Sequence, residues 1–486
     1  MNIGLNAAIQ GLMTAQRALD VAGHNVANAN TEGYSRQRVQ LSTTSPMGHN
    51  SLHMSWAGPG QVGTGVQVDT IKRVRDQFID RQVRAETSPL GEAKITSDTM
   101  RQIEDIFGEP SDRSLGTLTT RFWDSWHELS NNPENAATRL NLREVSENLA
   151  SVFQEIHGKL TTLRQDVNDR IETTVTDINS ITRQIATLNN QIKAGLAGGQ
   201  NPNDLQDQRD LLIEKLSEFV KVDVTETSQG ALNVYVGGNP LVAEGHNFPL
   251  LAIRQGTQGF VQVQYGPTQV PVNISGGSLK GYLDMRDVAL SDTDARGFIT
   301  QLNQMANGMA TQVNNLHRAG FALDGTTTLP FFEEFLGPPA VPIDASNLAV
   351  NAAIMADNTM PPGYNLIAAA LNDPGSLTGG VGDNGNALAI ARLRNAKVMG
   401  GGQYTFDDFY KGVLVNVGVQ GQEATRKEST QTMLVASVKE RRDSASGVST
   451  DEEMADVIKF QKAYAASARI LTTIDEMLET LINVGR

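Results

Sequence analysis

The sequence predicts a mixed, mainly α fold, with terminal amphipathic helices forming a coiled-coil domain, a long helical-bundle domain, and small β-rich and α/β outer parts. Three observations predict it. Apolar residues recur at heptad spacing at both ends, residues 89–221 show helical periodicity almost throughout, and residues 222–274 change to a period of two. With 486 residues, 39% of them hydrophobic, the chain is long enough for several domains.

The first helix carries an apolar stripe whose residues step by three and four without a slip. Large residues in this stripe alternate with alanines at Ala8, Ala15 and Ala22, and alanine allows a neighbouring helix to approach closely. The last helix repeats the spacing after the cap residues Ser449 and Thr450. Two such helices complete a globular core in many proteins. Here the extreme position of both favours an intersubunit seam made of Leu5, Leu12, Leu19, Val26, Val457, Phe460, Tyr464, Leu471, Ile474, Leu478 and Leu481.

A polar connection, NVANANTEGYSRQRVQL at residues 25–41, follows the first helix. Asn28 or Asn30 can take a left-handed cap there, and Gly33 suits a tight turn with Tyr34 packed at the bend. Arg36 and Arg38 alternate in an extended segment, so both point the same way, toward acids or carbonyls of a neighbouring copy or into an intrachain salt link. This predicted joint motif consists of Asn28, Asn30, Gly33, Tyr34, Arg36 and Arg38.

The middle of the chain divides by periodicity and composition. Helical apolar spacing holds over most of residues 89–221, and it changes at Val167, Ile171 and Val175 to steps of four, which should locally unwind a supercoil. Pro, Gly, Asn and Ala then mark residues 323–402 as a separate insertion. The predicted domains are a terminal coiled-coil domain (1–55 with 447–486), a helical rod-like domain (56–222 with 278–322 and 403–446), a small β unit (223–277) and an outer α/β insertion (323–402).

Charge and composition narrow the classes of partner. The formal net charge of −14 argues against binding to nucleic acid or an anionic membrane and favours protein partners. The chain has no cysteine, which excludes disulfides and thiolate chemistry. Its first residues lack the basic and apolar regions of a secretory signal, and no apolar run is long enough to span a bilayer, so a secreted fate needs another export route.

The search for catalytic and binding motifs finds little. His49 and His53 are close in sequence but have no acidic neighbour, so an irregular loop is favoured over a metal site. GVGDNG at residues 380–385 fits a dinucleotide pattern without a preceding strand, and a helix start with Asp383 or Asn384 near the cap is favoured. We therefore expect no catalytic residue, no cofactor and no metal, and hence no enzyme.

Two terminal stretches carry a family resemblance. GLNAAIQGLMTAQRALDVAGHNVANANTEGYSRQ at residues 4–37 and STDEEMADVIKFQKAYAASARILTTIDEMLETLINV at residues 449–484 resemble the bacterial flagellar axial proteins, the rod, hook and hook-associated family. Internal stretches, including DLQDQRDLLIEKLSEFVKVDV and GDNGNALAIARL, resemble the members at the junction between hook and filament. The resemblance covers nearly the whole chain.

The resemblance implies a structural protein that polymerises as a ring-like helical layer at the hook tip, with its terminal helices lining a channel. It implies contacts with copies of the chain itself, with the flagellar hook protein and with hook-associated protein 3, and neither nucleic-acid binding nor membrane insertion. Export through the flagellar type III apparatus to the extracellular hook–filament junction is also implied. A cytoplasmic export chaperone would cover the C-terminal helix at Phe460, Tyr464, Leu471, Ile474 and Leu478.

Two alternatives belong to other classes of protein. A free-standing exported adhesin or binding module would use the 323–402 insertion, and an exported hydrolase would need a convergent cluster of acids or histidines. Neither alternative explains why both ends of the chain are seam-like helices.

Overall fold

Long helices dominate the computed structural model, in which 62% of the chain is helical beside small antiparallel sheets. This confirms the predicted mixed, mainly α class. The first five helices are α1 (Asn2–Ala27), α2 (Gln77–Phe107), α3 (Leu115–Asn131), α4 (Ala136–Ala197) and α5 (Asn203–Phe219). The later helices are α6 (Ser278–Asp284), which continues into a π-helical turn, α7 (Phe298–Ala319), α8 (Ala352–Met355), α9 (Gly385–Arg392), α10 (Phe406–Ser446) and α11 (Thr450–Val484). The structure describes residues 2–44, 63–256, 259–334, 341–357, 360–376 and 380–484.

The described residues form two hydrophobic cores, and helix α4 connects them because it passes through both. Its 62 residues give a length of roughly 90 Å, and the side chain of Asn135 caps its start by accepting a hydrogen bond from the Ala137 N–H at 2.8 Å. Its buried apolar residues from Leu142 to Val167 belong to the first core, and those from Ile171 to Ala186 belong to the second. The change of apolar spacing therefore lies where the helix passes from one core to the other.

Among the described residues, three antiparallel sheets accompany the helices. A ribbon pairs β1 (Gln37–Thr43) with β2 (Val66–Arg73), and it crosses the domain boundary predicted between residues 55 and 56. The four-stranded sheet contains β3 (Asp223–Glu226), β4 (Leu232–Val236), β5 (Asn239–Ala243) and β6 (His246–Asn247). The three-stranded sheet contains β7 (Leu250–Gln255), β8 (Phe260–Tyr265) and β9 (Val270–Pro271).

Asparagines on α4 fasten these two sheets to the helix. The side-chain oxygens of Asn168, Asn179 and Asn189 accept hydrogen bonds from backbone N–H groups of β8, β7 and β4 at 2.8, 2.8 and 3.1 Å. Asn179 and Asn189 also donate to the carbonyls of the same strand residues, each at 2.8 Å. These bonds satisfy backbone groups near the starts of the strands that apolar contacts alone would leave unpaired.

The 323–402 insertion differs from its predicted α/β character. Its described residues form short helices, turns and isolated bridges, and they contain no continuous strand. Its composition explains this, since stretches rich in Pro, Gly, Asn and Ala lack the β-branched residues that favour strands. The segment also shares the core of the helical domain, because Phe331 and Phe332 pack against Phe122 of α3 at ring-centroid distances of 6.3 and 6.0 Å.

His317 joins α7 to this insertion from a fully buried position, where its side chain is 1% exposed. Its Nδ1–H donates to the Leu329 carbonyl at 2.7 Å, and its Nε2 accepts from the Ala368 N–H at 2.9 Å. The ring is therefore neutral, because a proton on Nε2 would face the Ala368 N–H. Burial lowers the pKa of His317 to about 4, and the nearby Arg139 and Arg318 act in the same direction.

We expect this histidine to make the helical domain less stable in mild acid. The pKa is lower in the folded than in the unfolded chain, so the unfolded chain binds more protons between about pH 6.5 and pH 4, and stability falls as pH falls through that window. Urea unfolding followed by tryptophan fluorescence should lose about 2 to 3 kcal/mol from pH 7 to pH 4.5 through this residue. His317→Gln should remove that part of the loss. The exposed-site control His246→Gln should keep it, and equal pH dependence in both variants would contradict the assignment.

Candidate assembly site at the terminal helices

The two terminal helices pack against each other as an antiparallel pair. Gly4 lies opposite Ile474, Gly11 lies opposite Ser467, and the Asn25 side chain donates to Glu453 Oε2 at 3.0 Å. The contact face of α1 is made of small residues, with Ala8, Ala15 and Ala22 all buried. Small residues let the helix axes approach closely, as the alanine register predicted.

The predicted seam residues surround this small-residue contact. Of the residues in α11, Ile474 is buried and Tyr464 is 38% exposed. The side chain of Leu481 lies outside the described residues. The others are half-buried, and they are Leu5, Leu12, Leu19, Val26, Val457, Phe460, Leu471 and Leu478. One chain alone therefore covers only part of the seam.

A further set of apolar side chains on the same helix pair is exposed. Ile458 and Ile470 are each 52% exposed, and Met477 is 46% exposed. Exposed apolar residues on paired helices are available for contact with another protein. We call this set the apolar flank, and its members are Ile9, Met13, Met454, Ile458, Tyr464, Ile470, Met477 and Ile482. Except for Tyr464, the heptad pattern did not identify them, because it selects a single face of each helix.

Gly11 sets the distance between the two helices. A Cβ at this position would lie 2.9 Å from Ser467 Oγ, closer than side chains normally pack, whereas a Cβ at Gly23 would meet nothing within 4 Å. We expect Gly11→Leu to force α1 away from α11 and to destabilise the pair by about 1–3 kcal/mol. Hydrogen exchange of α1 amides should be faster in Gly11→Leu than in the control Gly23→Leu. Equal protection in the two variants would show that the close approach is unimportant.

The joint loop that follows α1 turns sharply and is held by its polar residues. Gly33 has φ +80°, and none of the other residues of the loop, all of which are described, has a positive φ, so the left-handed position belongs to Gly33 and to neither Asn28 nor Asn30. Asn28 donates to the His24 carbonyl at 3.0 Å, and Asn30 is exposed. The Tyr34 hydroxyl donates to Asn25 Oδ1 at 2.8 Å.

Asp207 of α5 is the centre of a buried polar network beneath this loop. Its carboxylate accepts from the Ser35 N–H at 3.0 Å and from the Ser35 hydroxyl at 2.8 Å, and it pairs with Arg73 at 2.8 Å and Arg75 at 3.4 Å. The neighbouring Asp210 accepts from the same arginines, whose charges hold its pKa below the ordinary value although burial acts in the opposite direction. The network fixes the joint loop and the β-ribbon to the helical domain.

The two arginines of the joint motif have different environments. Arg36 forms an intrachain salt link with the first turns of α11, at 2.7 Å to Glu452 and 2.6 Å to Glu453. Burial lowers the pKa of Arg36, but these acids raise it above the ordinary value overall. The side chain of Arg38 is exposed and has no hydrogen-bond or ion-pair partner among the described residues. The intrachain alternative thus applies to Arg36, and Arg38 stays available to a neighbour.

Burial of Tyr34 and the nearby carboxylates of Asp204, Asp207 and Glu453 raise the pKa of its hydroxyl, so it remains a hydrogen-bond donor at neutral pH. The sequence identified the loop but missed Asn25, Asp207, Arg73 and Glu453, which hold it. Asn25 is the first residue of the quoted stretch, but its partner Glu453 is too distant in sequence for local spacing to reveal.

The structure also bears on metal sites, on the dinucleotide-like motif and on membrane-spanning helices. Within the described part of the chain, no three His, Asp or Glu side chains lie close enough together to hold a metal ion. His49 and His53 lie outside that part. At the GVGDNG motif, helix α9 begins at Gly385, whose N–H donates to Asp383 Oδ1 at 2.9 Å. None of the helices among the described residues is both long and apolar enough to cross a bilayer.

Comparison with protein families gives three matches along the chain. Residues 5–34 match the flagella basal body rod protein family, and residues 441–484 match the C-terminal family of flagellar basal body rod FlgEFG proteins. Residues 100–332 match the helical domain of flagellar hook-associated protein FlgK. The terminal matches coincide with α1 and its loop and with α11.

Individual relatives are similar over the full length. The chain is 32% identical to flagellar hook-associated protein 1 of Bacillus subtilis (strain 168), covering 99% of this chain and 98% of the relative. It is 28% identical to flagellar hook-associated protein 1 of Escherichia coli (strain K12), covering 99% of both. The solved structure of the flagellar hook junction protein FlgK from Burkholderia pseudomallei has the same fold, with a TM-score of 0.62, 18% identity, and coverage of 76% of this chain and 100% of that one.

The paired terminal helices, with rod-family matches at both ends, define a flagellar axial protein. The full-length similarity to the Bacillus subtilis relative shows more narrowly that the chain belongs to the family of flagellar hook-associated protein 1, FlgK. This confirms the family resemblance found in the sequence. Members of the family are structural proteins of the flagellum and not enzymes, so the chain has a structural role there, in association with other axial components.

Proposed function

We propose that this chain forms the junction between the flagellar hook and the filament. It polymerises at the hook tip as a ring-like helical layer, contacts the hook protein on one side, and connects to the filament through hook-associated protein 3. The observation that carries the proposal is the apolar flank, because a helix pair that exposes Ile458, Ile470 and Met477 is incomplete in a single chain. The names of the full-length relatives support the same position.

Copies of the chain meet through their terminal helices, which line the channel. Half-buried seam residues such as Leu12, Leu19 and Leu478 border the apolar flank and extend the area that a neighbour can cover. Arg38, exposed and unpaired among the described residues, adds a charge at the edge of the same surface. The seam residues thus contact the other terminal helix of the same chain, and their remaining exposed area contacts a neighbouring copy.

Export through the type III apparatus precedes this assembly. A chaperone covers α11 at Phe460, Tyr464, Leu471, Ile474 and Leu478 in the cytoplasm. Ile474 packs near Gly4 in the folded chain and is buried there, so the chaperone and α1 compete for one face of α11. The chaperone therefore binds before the terminal pair forms, and it keeps the chain suited to export.

Electron microscopy of flagella from cells that lack this protein tests the proposal. We expect hooks without filaments and filament protein lost to the medium, with both defects restored by the intact gene. Normal filaments on the deletion strain would contradict the junction role. A defect in surface attachment alone would favour the exported adhesin instead.

A further inference from the structure

A basic cleft opens between the β-ribbon, α2 and the start of α5. Its volume is about 460 Å³, and six basic and three acidic side chains line it. Three of the basic residues, Arg73, Arg75 and Arg209, are held by partners within the chain. The side chains of Lys72, Arg81 and Arg84 have no hydrogen bond or ion pair to any described residue.

Arg84 carries the strongest indication of a missing partner. Burial lowers the pKa of its guanidinium below the ordinary value, and the nearby Arg75 and Arg81 lower it further, against the attraction of Asp80 and Asp210. A partly desolvated guanidinium without a partner is unfavourable until an anion supplies hydrogen bonds to it. Of the three cleft acids, Asp80 and Asp210 are already bound by Arg75 and Arg73, and Glu226 is not among the charges that shift the pKa of Arg84.

The β-ribbon next to the cleft also concentrates positive charge. Lys72 of β2 lies directly opposite Arg38 of β1 in the strand register, and both are exposed. Like charges in opposed positions of an antiparallel pair repel each other and destabilise the pairing. Because the chain as a whole carries a net charge of −14, this basic edge is a local exception.

We propose that the cleft binds carboxylate side chains of a second copy of this chain when the layer assembles. The inference rests on the proposed function, which brings copies into contact. Charge complementarity favours this occupant, because α4 presents exposed acids that have no ion-pair partner among the described residues. Examples are Glu147, Asp166 and Asp177. The apolar flank supplies area to the contact between copies, and the cleft supplies its register, since its positive charges attract carboxylates at one place on the surface.

A neutralised variant tests the cleft. In cells that carry Lys72→Gln, Arg81→Gln and Arg84→Gln together, immunolabelling at hook tips should fall about tenfold, because each neighbouring carboxylate loses its partners. The conservative set Lys72→Arg, Arg81→Lys and Arg84→Lys should retain labelling, and this separates lost charge from misfolding. Wild-type labelling in the neutralised variant would overturn the proposal.

A matched control and a crosslinking measurement complete the test. Arg121→Gln, Lys397→Gln and Arg392→Gln remove the same charge from exposed positions elsewhere, and labelling should be unchanged. A photo-crosslinking residue at position 81 should capture a second copy in assembled flagella, as should the same residue at position 470 of the apolar flank. Capture at 470 without capture at 81, or capture of a different protein at 81, would overturn the cleft proposal alone. No homotypic capture at either position would contradict the proposed function as well.

Discussion

Replacing Ile470 and Met477 with aspartate should abolish filament attachment while leaving the monomer folded. Both side chains are about half exposed in the single chain, at 52% and 46%, so the free energy of unfolding should change by only about 0.5 kcal/mol. In the assembled layer each aspartate would be buried against a neighbour's apolar residues, at a cost of several kcal/mol per contact. Electron microscopy should show hooks without filaments, and thermal unfolding should show a wild-type transition.

The control places the same charge at exposed polar positions of the same helix. Gln461→Asp and Thr472→Asp should leave both filament attachment and unfolding unchanged, because neither residue belongs to the apolar flank. Filaments at wild-type frequency on the Ile470→Asp, Met477→Asp strain would show that the apolar flank makes no contact between copies.

Asp207→Asn should release the terminal helices from the helical domain. The substitution removes the negative charge that Arg73 and Arg75 share, and it offers an N–H group where the carboxylate accepted from Ser35. Removing one partner from a buried network of charges lowers the free energy of unfolding by about 3–5 kcal/mol. Limited proteolysis of the purified chain should cut faster in the joint loop around Gly33, and filament attachment should be reduced because the terminal helices lose their fixed orientation.

Asp223→Asn is the matched control for this experiment. Asp223 is an exposed acid in β3 with no ion pair to a described residue, so removing its charge should change neither the cleavage rate nor filament attachment. Identical cleavage of Asp207→Asn and Asp223→Asn would mean that the network does not hold the joint.

Local sequence patterns were sufficient for the elements whose cause is local. Heptad spacing predicted α1 and α11, and the alanine register predicted their close approach. The tight turn was predicted at Gly33, but the left-handed position predicted for Asn28 or Asn30 belongs to Gly33 as well. Apolar spacing along α4 changed at Val167 and Ile171, where the helix passes from one core to the next. In each case neighbouring residues alone determine the backbone or the face that is buried.

Features with long-range causes could not be predicted in this way. Ser35 and Asp207 are separated by 172 residues, and Asn25 and Glu453 by 428 residues. A single sequence contains no signal that pairs residues so far apart. The composition of the 323–402 insertion predicted a separate unit, yet its residues Phe331 and Phe332 are buried in the first core. Apart from Tyr464, the apolar flank was missed because its residues lie outside the heptad stripes that define the predicted seam.

A cryo-electron microscopy reconstruction of the intact hook–filament junction would show whether each chain is completed by the terminal helices of its neighbours. We predict that this chain forms the layer next to the hook, and that Ile458, Ile470 and Met477 of each copy are covered by the terminal helices of an adjacent copy. A layer in which these side chains face the channel or solvent, with copies joined only through their outer parts, would contradict the account.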